Sequence, residues 1–118
     1  TFGGNPLAMA VGNCVIDIVN KVDFLSNVEK NGLFFKNELN KLCDKYPNVI
    51  AEIRGLGLMI GIKCSVANNL LANKLYENGI LTVNAADNVI RILPPLNITM
   101  SEIKKVMSLF EKSIKEIL

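Results

Sequence analysis

The chain has 118 residues, with 13 Lys and Arg against 11 Asp and Glu, a net charge of +2. So small an excess excludes the broad basic field that a nucleic-acid partner needs, and with no Trp and only 6% aromatic residues a base-stacking platform is excluded as well. At 50% hydrophobic and 20% charged residues, the balance is that of a globular domain and not of a disordered one.

A chain of this length buries roughly 65–70% of the surface its unfolded form exposes, enough for one core without disulfides. Cys14, Cys43 and Cys64 form no C-x-x-C pair, and the sequence has no His. A zinc site is therefore not expected. Three reduced, buried thiols in a cytosolic protein are. No apolar run is long enough to span a membrane. No basic segment leads into an apolar one, as it would in a signal peptide. The sequence starts on Thr1 and not on Met, as a cleaved or excised piece would.

Thr1–Asn5 form a polar, Gly-rich entry, with Asn5 as N-cap and Pro6 at the first helical position. Leu7, Ala8, Val11, Cys14, Val15 and Ile18 then recur at helical spacing and predict a helix over about 6–20. Asp23 opens a second helix to about Cys43, whose stripe is Phe24, Val28, Phe35, Leu39 and Leu42. Gly32 within it implies a bend or a close neighbouring helix. Tyr46-Pro47-Asn48 stops it. From Val49 the period shifts. Strands are expected over 50–54 and 58–64, interrupted by Gly55-Leu56-Gly57 as a bulge or turn. A third helix follows at about 66–77, with Leu70, Leu71 and Leu75 inward and Gly79 after its end. Short strands are expected at 80–83 and 89–93, joined by a loop over 84–88. Thr99-Met100-Ser101-Glu102 is a capping box. It opens a helix over 100–117 whose apolar stripe is Ile103, Val106, Met107, Phe110, Ile114 and Ile117. The sum is ααββαββα: α/β (α+β) architecture, with helices on a small, partly antiparallel sheet.

Three stretches carry chemistry. Thr1-Phe2-Gly3-Gly4-Asn5-Pro6-Leu7-Ala8 offers a hydroxyl, two glycines and open backbone N–H groups at a helix N-terminus, which suits an anion such as phosphate. The same pattern also serves as an ordinary turn. In Arg54-Gly55-Leu56-Gly57-Leu58-Met59-Ile60-Gly61 the glycines shape a kinked strand, and Arg54 fits an ion pair better than a ligand. In Val89-Ile90-Arg91-Ile92-Leu93-Pro94-Pro95-Leu96 a lone Arg interrupts an apolar strand, with Ile90 and Ile92 on one face and Arg91 on the other. A guanidinium there needs a carboxylate, from the protein or from a ligand.

In this order and at these separations, the three stretches resemble the class III aminotransferases, and most of all their acetylornithine branch. The resemblance covers the whole chain. It implies the small C-terminal domain of the type I pyridoxal-phosphate transferase fold, with residues 1–22 as phosphate loop and connecting helix from the large-domain boundary and 23–118 as the small domain. It implies pyridoxal 5′-phosphate as cofactor, bound at its phosphate by Thr1 with Phe2 and Gly3 shaping the loop together with Gly4, and shared across a homodimer. Arg91 would hold the substrate α-carboxylate. The implied reaction moves the terminal amino group of N-acetylornithine, or of N-succinyl-diaminopimelate, to 2-oxoglutarate in arginine or lysine biosynthesis. The partners implied are the large catalytic domain, a second subunit and these small molecules, with no nucleic acid and no membrane. The family's Schiff-base lysine, the aspartate on the pyridine nitrogen and the aromatic that stacks on the ring all lie upstream of the threonine. The chain alone is therefore expected to be an inactive fragment. Two other readings stay open: a stand-alone carboxylate-binding domain, and an interaction domain that dimerises through an exposed apolar helix 6–20.

Overall fold

The computed structural model describes residues 1–118. Its elements are α1 (Pro6–Val19), α2 (Val22–Lys45), β1 (Ile50–Leu56), β2 (Met59–Cys64), α3 (Asn68–Glu77), β3 (Val83–Ala85), β4 (Val89–Ile92) and α4 (Met100–Lys115). The strands form one sheet in the order β1-β2-β4-β3. Every pairing is antiparallel, so the partly antiparallel sheet expected from sequence is wholly so.

Strand alternation divides the sheet into two unlike faces. Ile60, Ile62, Cys64, Ile90 and Ile92 are buried on one face, in the cluster that also holds Phe35 and Leu39 of α2, Leu71 and Leu75 of α3, and Ile103, Phe110 and Ile114 of α4. Three helices therefore cover one face. Gly61, Lys63 and Arg91 lie on the other, which no helix covers.

α2 buries Phe35, Leu39 and Leu42, with Phe24 and Val28 half-buried toward its start. Gly32 is buried because α2 runs against the β1–β2 turn: a Cβ there would stand 2.7 Å from the Gly57 carbonyl oxygen. The close neighbour is thus a hairpin backbone and not a helix. Lys36 Nζ donates to the Gly55 carbonyl at 2.8 Å and fastens the same hairpin. β1 runs on through Leu56, so the expected interruption is only the turn at 57–58.

Two expectations about burial change. Cys14 is exposed and Cys43 intermediate; only Cys64 is buried. Leu70 faces outward, 44% exposed, while Leu71 and Leu75 hold α3 to the core. α1 buries no residue at all. Its Leu7, Val11, Val15 and Ile18 remain 47–76% exposed, although their spacing is that of a buried stripe.

The second hairpin differs most from expectation. The segment over 80–83 is not a strand, because Ile80 turns into the core and its N–H donates to the Leu75 carbonyl at 2.8 Å. Pairing starts at Val83, and Asn84 and Ala85 pair with Ile90 and Val89. The connecting loop shrinks to 86–88, where Asp87 (φ 61°) and Asn88 (φ 55°) are left-handed. Both residue types tolerate that region. Asn88 Nδ2 donates to the Cys64 and Val66 carbonyls at 2.8 and 2.7 Å, and its Oδ1 accepts the Asn68 N–H at 2.8 Å. That last bond makes Asn68 the first residue of α3, two positions later than expected.

α4 keeps the capping box of Thr99 and Glu102 and buries Ile103, Met107, Phe110 and Ile114. Its middle is tied to the end of α2: Glu111 Oε1 accepts from Lys45 Nζ at 2.7 Å and from Tyr46 Oη at 2.8 Å. With Lys115 nearby, these donors hold the Glu111 carboxyl at about 2, against an ordinary 4.5. A carboxyl that binds protons more weakly when folded stabilises the fold fully above its unfolded value and loses that contribution as pH falls through the folded one. Stability is therefore expected to decline between about pH 5 and pH 2 more steeply in the parent protein than in Glu111→Gln. Chemical denaturation along that pH series checks it; parallel curves would remove Glu111 from the account.

Candidate functional site

The three chemistry-bearing stretches fold into two places. The first is the entry to α1. Asn5 Oδ1 accepts the Ala8 N–H at 2.9 Å, and its Nδ2 reaches back to the Phe2 carbonyl at 2.7 Å. One side chain thus caps the helix and pins the loop before it. The N–H groups of Phe2, Gly3 and Gly4 donate to no backbone carbonyl. Thr1, Phe2, Gly3 and Gly4 are all exposed, and a Cβ at Gly3 or Gly4 would touch nothing within 4 Å. The first turn of α1 has no acidic residue to compete for those donors. Open N–H groups, a hydroxyl and the positive end of a 14-residue helix fit a phosphate group.

The second place is the uncovered face of the sheet. Register sets Arg54, Gly61, Arg91 and Val83 in one row across β1, β2, β4 and β3. The Arg54 side chain lies along this face over Gly61: a Cβ on Gly61 would meet Arg54 Cγ at 3.5 Å. Arg54 Nη2 then reaches Asp87 Oδ2 at 3.4 Å, the ion-pair role its sequence context favours. Lys63 Nζ bonds the carboxylate of the same Asp87 and, at 2.6 Å, its carbonyl. These contacts, Lys63 first, hold the Asp87 carboxyl below the ordinary carboxylate range. Arg91 is exposed and enters none of the chain's ion pairs. Its five donors face away from the core that holds Ile90 and Ile92.

Thr1–Gly3 and Arg91 are not brought together. The loop sits at the head of α1, which buries no residue, while Arg91 stands on β4. Neither lines the cavity of about 600 Å³ between α4 and Pro94-Pro95. Burial pushes the Cys64 thiol up to about 11 and raises Cys43 as well, which disfavours a thiolate at either position. No cluster of three or more Cys, Asp or Glu side chains is placed to hold a metal ion. No helix is long and apolar enough to cross a membrane. Sequence reasoning missed Lys63 and Asp87, and gave Gly61 only a backbone role. The period-two alternation of β2 was the available signal for Lys63.

The model of the aminotransferase class-III family matches residues 1–114. The chain belongs to the class-III aminotransferases. It is 46% identical over 117 residues to the acetylornithine aminotransferase of Brucella melitensis, covering 99% of this chain and 29% of that protein. Its fold superposes on the crystal structure of acetylornithine aminotransferase from Elizabethkingia anophelis with a TM-score of 0.88 at 36% identity, over 98% of this chain and 31% of that one. A structure of ornithine aminotransferase from Toxoplasma gondii, with pyridoxal phosphate partly occupying its active site, gives 0.86 at 33% identity, over 97% and 28%. The class-III chain described here thus spans under a third of the length of the relatives it matches. The small α/β domain expected from the family resemblance is the one found.

Proposed function

We propose that this chain is the C-terminal part of a pyridoxal-phosphate-dependent transaminase that moves the terminal amino group of N-acetylornithine, or of N-succinyl-diaminopimelate, to 2-oxoglutarate. The observation that carries the reading is Arg91, a guanidinium without a protein partner on the open sheet face. It lies in a class-III chain whose relatives include acetylornithine aminotransferases. Its role is to fix the substrate carboxylate through two parallel hydrogen bonds and so orient the carbon that changes its amino group. Thr1, Phe2 and Gly3 would hold the cofactor phosphate. Bound there, pyridoxal phosphate supplies the carbonyl carbon that receives the amino group and an electron-withdrawing ring. Residues 1–22 form the loop and connecting helix, and 23–118 the small domain; the absence of buried residues in α1 supports that division. The protein is a cytoplasmic homodimer in this reading, with the Thr1 loop serving the neighbouring subunit. The chain by itself is inactive, since the resemblance places the cofactor-bonding lysine ahead of Thr1.

Arg91→Gln in the full-length protein is expected to raise KM for the amine donor roughly 10–100-fold, the worth of a lost charge-assisted hydrogen-bond pair, without unfolding. An unchanged KM would sink the assignment. Mixing the chain with pyridoxal phosphate and reducing with borohydride checks the claim of inactivity: trapping at one defined lysine would contradict it.

A further inference from the structure

α1 is unlike the other helices. With successive residues about 100° apart, Leu7, Ile18, Val11, Val15, Ile16 and Met9 spread over roughly 200° of its circumference, and each is 47–76% exposed. Asp17 is its only charged side chain, with Asn13 one turn before it on the remaining side. Gly12 and Val19 alone are half-covered. α2 and α4, by contrast, bury one stripe and leave a charged face to water. The chain as a whole is drawn out, 52 Å along its longest axis against 34 and 23 Å. Its radius of gyration is 16.6 Å, where a compact chain of this length has about 13.5 Å.

A helix that is apolar around most of its circumference belongs in an interior. A membrane is too thick for this one: 14 residues span about 21 Å, against roughly 30 Å of hydrocarbon. A second copy of the chain is too narrow a cover. Two helices in contact shield a stripe of about 100° or less on each, so a dimer built on Leu7 and Val11 leaves Ile16 and Met9 in water. A larger cover is at hand. The chain spans 29% of the Brucella melitensis enzyme, so more than two-thirds of such a protein lies outside it. We propose that α1 is an interior helix of the body that this chain lacks, enclosed by it on the Leu7–Val11 side and on the opposite Ile16–Met9 side alike. This rests on the reading of the chain as the C-terminal part of a longer transaminase, and goes beyond it by excluding α1 as a self-association surface. The apolar spacing of α1, which buries nothing within this chain, is then the core pattern of its neighbour.

Two native side chains report on the two sides. Around the helix, Cys14 stands next to Leu7 and Met9 next to Ile16. In the full-length protein, alkylation of Cys14 by iodoacetamide and oxidation of Met9 by hydrogen peroxide are read by peptide mass mapping. Each is expected to run at least about tenfold slower than in the same protein unfolded in urea. Cys64, buried within this domain, sets the scale for a shielded thiol. The unfolded-state rate at either residue overturns the inference; with Met9 alone free, the cover is one-sided, as a pair of such helices would give. The KM effect of Arg91→Gln, measured on the same protein, reports on the transaminase reading by itself. Both residues shielded with that KM unchanged would keep the enclosure and remove the reading. A raised KM with Met9 or Cys14 freely reactive would do the reverse.

Discussion

Replacing Phe110 by Ala is expected to remove about 3–5 kcal/mol of folding stability, the range for deleting a buried aromatic ring and leaving a cavity. Phe110 is fully buried, and it stands on the α4 stripe between Met107 and Ile114. α4 packs on both α2 and α3, so the ring lies where three helices meet above the sheet. None of the three can close the gap without leaving the other two. Domains of this size keep only about 5–15 kcal/mol in total, so the variant should sit near its unfolding midpoint in dilute urea. Equilibrium denaturation measures this. A loss under about 1 kcal/mol would mean that the helical layer collapses into the space.

The second large effect is expected at Gly55. Its φ of 129° lies in a region that other residues scarcely enter. A Cβ there would stand 2.1 Å from the Met59 carbonyl oxygen. That neighbour is backbone within the β1–β2 ladder, so no side chain can swing aside. Backbone strain of about 1–3 kcal/mol and overpacking of similar size together predict a loss of about 2–6 kcal/mol for Gly55→Ala. The Lys36 bond to the Gly55 carbonyl would be disturbed as well. Amide hydrogen exchange should show lost protection across 50–64 first. Protection unchanged there would contradict the expected opening of the hairpin.

What could be seen in the sequence follows the range of the physics involved. α4 was legible almost to the residue, because a capping box and a 3.6-residue stripe are signals contained in the segment itself. β4 was legible for the same reason: one Arg in an isoleucine alternation fixes its own two faces. β3 was not. Ile80 is apolar for the sake of the α3 end and the core, while Val83–Ala85 is a strand only because β4 is there to pair with it. The grouping of Lys63 and Arg54 on Asp87 spans 24 and 33 residues and depends on register that no local pattern specifies. α1 shows the converse case: its apolar spacing was plain, but spacing cannot say whether anything covers it. Thr1 and Arg91 were singled out on chemistry, and their roles came from the family resemblance.

The bareness of α1 has a thermodynamic consequence for the loop it carries. A 14-residue helix with no buried side chain is near the length at which isolated helices are marginal in water, so its local opening should cost little. The Asn5 bonds that shape Thr1–Gly4 exist only while the first turn of that helix does. Whatever body covers α1 therefore also sets the loop, and an anion bound by the loop must in return strengthen that association by the same factor. Assembly and phosphate affinity would be two readings of one equilibrium.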